Sequence, residues 1–175
     1  MGALEFAVDV VTFGSVLGVG PRVGPEEVCA VLGGDFGENR QKHLMWRDFG
    51  LVEFFWERES GSDPWQGTHF SVQFHRLTWL AADGVGEAIG RRYGSFGSAL
   101  DFEELRAALD GAGVPLEELH PASPDVREYW QAESQAAVLV QADGEDAGTV
   151  FRITAPLSAE MLALRGRQLG SAWRR

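Results

Sequence analysis

Between Leu44 and Leu80 two runs alternate apolar and polar residues with a period of two, and this period restricts the possible folds more than any other feature of the chain. Val52, Phe54 and Trp56 fall on one side of an extended backbone, with Glu53 and Glu57 on the other. Phe70, Val72 and Phe74 likewise oppose His69, Ser71, Gln73 and His75. The runs Leu44 to Asp48, Leu51 to Glu59 and Thr68 to Leu80 are separated by Phe49-Gly50 and by Ser60-Gly61-Ser62-Asp63-Pro64, both turn compositions. An antiparallel meander with one buried face and one wetter face follows from this pattern.

Helical signals surround the meander. Phe6, Val10, Phe13 and Leu17 recur at helical intervals and predict a helix, although Phe6, Val8 and Val10 also alternate as in a strand, so helix and strand both stay open for residues 4–17. Pro25, followed by Glu26 and Glu27, opens a helix through Leu32 that Gly33 and Gly34 close. Asp101 with Glu104 three residues on predicts a capped helix that ends at Gly111 and Gly113. Short helical turns are expected over Pro115 to Leu119 and Asp125 to Gln131. Ala137 to Gln141 and Thr149 to Thr154 predict a β-hairpin around Asp143-Gly144-Glu145-Asp146. A last helix begins at Ser158, with Met161, Leu162 and Leu164, and is expected to fray over 165–175. No internal repeat is visible. The whole reads as a single α+β domain over 1–175: a mostly antiparallel β-sheet, meander plus C-terminal hairpin, with helices packed on one face. A hydrophobic content of 45%, with six Trp and eleven Phe, is enough for a core that holds without outside help.

Charge is segregated along the chain. Residues 83–148 carry fourteen Asp or Glu against four Arg and no Lys, while 149–175 carry five Arg against one Glu. With a formal net charge of −11, such a surface steers cationic partners and repels nucleic acid and anionic lipid. Glu117, Glu118, Asp125 and Glu128, followed by Asp143, Glu145 and Asp146 on one turn, are the candidate partner-binding carboxylates. Trp65, in a Ser-Gly-Ser-Asp-Pro-Trp-Gln-Gly loop, is the candidate aromatic anchor; the competing reading is a loop pinned by its own indole folding back on the sheet. Glu5 and Asp9 stand where an export signal would carry Lys or Arg, and no segment approaches eighteen uncharged apolar residues. A cytoplasmic location off the membrane is therefore expected.

Motifs for chemistry are sparse. His69, Ser71, Gln73 and His75 with Glu53 across the sheet form an alternative polar-face site, in which a carboxylate and imidazole pair would suit general base work. Ser71 lacks a nucleophile-elbow context. Gly84-Val85-Gly86 lacks the Walker lysine and the βαβ setting of a dinucleotide site. One Cys and four scattered His give no metal spacing, so neither metal nor cofactor is expected. Cys29, among Val28, Ala30, Val31 and Leu32 with no cation beside it in sequence, reads as a small core residue.

The segments Asp48-Phe49-Gly50-Leu51-Val52-Glu53-Phe54 and His69-Phe70-Ser71-Val72-Gln73-Phe74-His75-Arg76-Leu77, preceded by the helix Pro25 to Leu32 and Gly33-Gly34-Asp35-Phe36, resemble actinobacterial immunity-type proteins of polymorphic toxin systems. The resemblance spans mainly residues 25–77 and transfers no functional residue. It implies a cytoplasmic, non-catalytic inhibitor that binds and blocks a cognate toxin, while the acidic surface would equally suit another basic protein surface. The competing expectation is a small enzyme or ligand-binding protein that uses the polar sheet face.

Overall fold

A computed structural model describes residues 2–80, 84–119 and 123–164. Two helices, α1 (Gly2–Phe13) and α2 (Pro25–Leu32), precede four strands: β1 (Gly37–Arg40), β2 (Leu44–Asp48), β3 (Val52–Glu57) and β4 (Gln66–Val72). After a 3-10 turn at Phe74–Thr78 the order repeats. The helices α3 (Glu87–Tyr93) and α4 (Phe102–Gly111) lead into β5 (Glu117–Leu119), β6 (Val126–Trp130), β7 (Ala137–Gln141) and β8 (Val150–Ala155). Residues 159–164 are helical.

All eight strands form one sheet in the order β1-β2-β3-β4-β8-β7-β6-β5, with every neighbouring pair antiparallel. The last strands of the two halves meet, Phe70 opposite Ala155 and Val72 opposite Ile153. The fold is thus α+β as expected, and the C-terminal hairpin belongs to a second four-stranded meander. The shared element order was invisible in the sequence because the two halves use unrelated side chains.

Helices cover one face. Val52, Phe54 and Trp56 of β3, Phe70 and Val72 of β4, Ile153 of β8 and Val138 and Val140 of β7 are buried with Phe6 and Val10 of α1 and Phe102, Leu105 and Leu109 of α4. The ambiguity over residues 4–17 resolves to helix through Phe13. Gly14 then turns out with φ +58, and Phe13, counted in the helical stripe, is 69% exposed. The helix at Pro25 starts and stops where its proline and glycine place it, with the Gly24 amide donating to Glu27 Oε2 at 3.1 Å. At Asp101 the side chain accepts the Glu104 amide at 2.9 Å and fixes the start of α4.

Several expectations are corrected. The run Thr68 to Leu80 is not one strand: β4 ends at Val72 and the chain coils into the 3-10 turn. Phe74 stays buried, but His75 is carried off the strand face on which it was expected to join His69. The segments 115–119 and 125–131 contain strands β5 and β6 instead of helical turns, because β6 pairs with β7, Tyr129 opposite Val138, and β5 with β6, Glu118 opposite Tyr129, which supplies ladder bonds that local propensity could not reveal. Strand β1 and helix α3 were not foreseen; Gly84-Val85-Gly86 leads into α3, with Val85 buried. The expected fraying over 165–175 lies outside the described residues.

Two glycines set close approaches. A Cβ on Gly67 would lie 2.2 Å from the Pro21 carbonyl oxygen, so this position lets the 20–24 loop press on β4. A Cβ on Gly50, where φ is +92°, would lie 2.0 Å from the Gly84 carbonyl oxygen.

Candidate functional site

The sheet face away from the helices carries the polar positions. The cross-strand pairs Trp46–Phe55 and Phe55–His69 place three rings in a row over β2, β3 and β4, with centroids 6.3 Å and 4.2 Å apart. His69 lies flat on Phe55, and its Nδ1 is 3.0 Å from Thr68 Oγ1. His75 stacks instead on Phe151 at 4.4 Å, with Nδ1 3.3 Å from the Phe151 carbonyl oxygen. The two imidazoles therefore serve different surroundings.

The remaining members of the polar-face set are tied into the frame. Ser71 is buried, with Oγ 3.3 Å from Thr154 Oγ1, and Gln73 Nε2 donates to Ser71 Oγ at 3.1 Å and to Glu53 Oε2 at 2.7 Å. Glu53 also accepts from Arg76 Nη2 at 2.5 Å, and Arg76 Nη1 reaches Asp48 and, at 2.7 Å, the Gly50 carbonyl oxygen. Arg76 comes from the 3-10 turn, which explains why that turn interrupts the strand: its cation neutralises two carboxylates at the end of the sheet. Glu53, Gln73 and Ser71 thus form a bracing chain, and no imidazole is hydrogen-bonded to a carboxylate among the described residues.

Burial holds the pKa of His69 below its ordinary value, helped by the Arg152 charge; burial also lowers that of His75, against the hydrogen bond to Phe151. The unfolded imidazoles titrate near 6.5, so below that pH the unfolded chain binds more protons than the folded one. Stability is then complete above about 6.5 and declines as pH falls towards the depressed folded values. The urea midpoint is expected to drop between about pH 7.5 and about pH 5.5, and to drop less in a His69→Gln, His75→Gln double variant. An equal drop in both proteins would show that other groups are responsible.

The candidate carboxylates divide into three places. Asp143, Glu145 and Asp146 are exposed on the β7–β8 turn. Asp125 joins them, since its carbonyl accepts the Ala142 amide, and so does Asp101, which bridges to Thr149 at the start of α4. Glu103 and Glu104 lie exposed on the first turn of that helix. Arg127, the cation on β6 nearest in sequence, is turned onto Phe102 and Tyr129. Glu117 and Glu118 instead run along the edge strand β5, Glu117 opposite Trp130 at the far end of β6. Glu128 is buried on the face away from the helices, 4% exposed. The acidic turn also lines a cleft of about 260 Å³ with His75, Phe151, Gln141 and Thr149.

Trp65 packs against the core, with the Arg58 guanidinium 4.1 Å above its ring and Arg58 Nη1 donating to the Gly61 carbonyl oxygen. Its loop is pinned by its own indole. Cys29 is half-buried and is not without a cation: Arg47 Nη1 lies 3.0 Å from its Sγ, contributed by β2. The same buried Arg47 pairs with Glu38 at 2.8 Å, and that hydrogen bond holds the Glu38 carboxyl below its usual range. Sequence adjacency could not show this contact, which crosses from helix to sheet.

A second, larger cavity of about 530 Å³ opens over β4, β8, β7 and β6 on the face away from the helices. His69, Thr154, Arg152, Leu139 and Glu128 line it, and Arg22, Leu157 and Met161 lie at its borders. Arg152 and Arg22 were missed by sequence reasoning. Arg152 sits among the polar positions of a recognised strand, but only the β4–β8 pairing shows that it shares a surface with His69.

Among the described residues no helix is long and apolar enough to cross a membrane. Comparison with known proteins returned no matching family model, no matching curated protein and no matching solved structure.

Proposed function

We propose that the chain is a protein-binding inhibitor of the immunity type, which blocks a partner by laying its acidic end against a basic site. The observation that carries this reading is the meeting of Asp101, Asp125, Asp143, Glu145 and Asp146 at one end of the second meander, although they are distant in sequence. None of these five makes an ion pair among the described residues, while Glu26, Glu38, Asp48, Glu53 and Glu87 do. Unpaired exposed carboxylates repel one another, and a cationic partner relieves that repulsion while their field raises its encounter rate. The 260 Å³ cleft beside the turn, with the His75 and Phe151 rings on one wall and carboxylates on the other, has room for one Lys or Arg side chain of such a partner.

Edge and cavity positions play no part in this surface: Glu117 and Glu118 run along β5 towards the other end of β6, and Glu128 and Trp65 are occupied within the fold. The mechanism is occlusion, in which the partner's active or substrate-binding site is covered and no bond is made or broken. The test is mixing with the purified product of the adjacent gene. The proposal expects a stable stoichiometric complex and loss of that protein's activity. A protein that neither binds nor loses activity would contradict the reading.

A further inference from the structure

The 530 Å³ cavity lies on a different surface from the acidic end and has a different chemistry. Its floor holds Arg152, whose Nε is buried without a hydrogen-bond partner, and the guanidinium makes no hydrogen bond or ion pair among the described residues. A buried N–H left unmade keeps its full desolvation cost, so such a donor points to an acceptor that arrives with a ligand. Arg22, anchored through its own Nη1 to the Gly67 carbonyl oxygen at 3.5 Å, brings a second guanidinium to the border. Leu139, Leu157 and Met161 supply apolar wall, and Met161 is 49% exposed despite its place there. The volume falls within the ordinary range of small-molecule sites, about 300–1,000 Å³.

We propose that this cavity binds a small organic carboxylate with an apolar body, its head on Arg152 and its body against Leu139, Leu157 and Met161. A guanidinium presents parallel N–H groups that match the two oxygens of a carboxylate, which a neutral or cationic head would leave unused. His69 contributes a flat wall: its ring is held on Phe55 and its Nδ1 faces Thr68. Glu57 and Glu128, which also border the cavity, set its selectivity against ligands bearing more than one negative charge. The site is independent of the inhibitor reading and survives its failure.

Octanoate and 4-phenylbutyrate are the probes, followed by amide chemical shifts of the full chain, with octylammonium and octanol as head-group controls. At least one carboxylate is expected to give saturable shifts centred on His69, Leu139 and Thr154, with either control binding at least about tenfold more weakly. Arg152→Met should weaken the carboxylate by at least about tenfold and bring it level with octanol. Leu139→Trp, which keeps the guanidinium and fills the cavity, should abolish the shifts and decides the matter if Arg152→Met does not fold. The proposal is overturned by the absence of saturable shifts with both carboxylates, by octylammonium or octanol binding as tightly, or by a folded variant of either kind that binds octanoate or 4-phenylbutyrate like the parent.

Discussion

Replacing Trp56 by Ala is expected to remove about 3–5 kcal/mol of folding stability, the range for truncating a large aromatic ring inside a packed core. The indole is 1% exposed, stacks on Phe54 at 6.1 Å, and donates from Nε1 to the Val23 carbonyl oxygen at 2.9 Å. Truncation opens a cavity under β3 and also strips the 20–24 loop of its tie to the sheet. Domains of this size are held by about 5–15 kcal/mol, so the variant should keep only part of its stability and melt at a much lower urea concentration. Trp56→Phe separates the two contributions: most of the packing stays, and the remaining loss reports the orphaned Val23 carbonyl, worth about 1–3 kcal/mol. If Trp56→Ala lost less than about 1 kcal/mol, the packing described for the first meander would be wrong.

Charge reversal at the β7–β8 turn is the second large effect. The triple variant Asp143→Lys, Glu145→Lys, Asp146→Lys changes the local charge by six units at a position where every side chain is exposed, so folding stability should hardly move. Association with a basic partner should instead slow by about tenfold or more at low salt, because steering depends on the field ahead of contact. The reversal Glu117→Lys, Glu118→Lys on β5 is the control. Those carboxylates lie along the sheet edge, so their loss should slow association far less.

Much of the architecture was legible because burial imposes a period. The alternation Val52, Phe54, Trp56 named the buried face of β3, and Pro25, Asp101, Gly33 and Gly113 punctuated the helices through backbone chemistry that acts within a few residues. What could not be read depends on distant partners. Glu117–Leu119 and Val126–Trp130 have weak local preferences, and their state is decided by their partners, β7 for the second and β6 for the first. The end of β4 at Val72 is set by Arg76 reaching back to Asp48 and Glu53, an interaction between separate segments.

The candidate site shows the same division. The acidic turn was visible in sequence with Asp125 among its candidates, and the structure keeps Asp125 beside it and adds Asp101 while sending Glu117, Glu118 and Glu128 elsewhere. The polar face around His69 and Ser71 was visible too, yet its catalytic promise rested on an imidazole paired with a carboxylate, and the two rings stack on Phe55 and Phe151 instead. The cavity was not legible, since His69 and Arg152 become neighbours only through the pairing of the last strands of the two meanders.

The central claim is that negative charge at the end of the second meander drives recognition, and stopped-flow association with the adjacent gene's product, for parent and triple variant, tests it most directly. Between about 0.01 M and about 0.15 M salt the screening length shrinks from about 30 Å to about 8 Å. The parent rate should fall by about tenfold or more over that range, while the Asp143→Lys, Glu145→Lys, Asp146→Lys protein should start slow and show no such fall. Equal rates for the two proteins, with the same insensitivity to salt, would contradict the account.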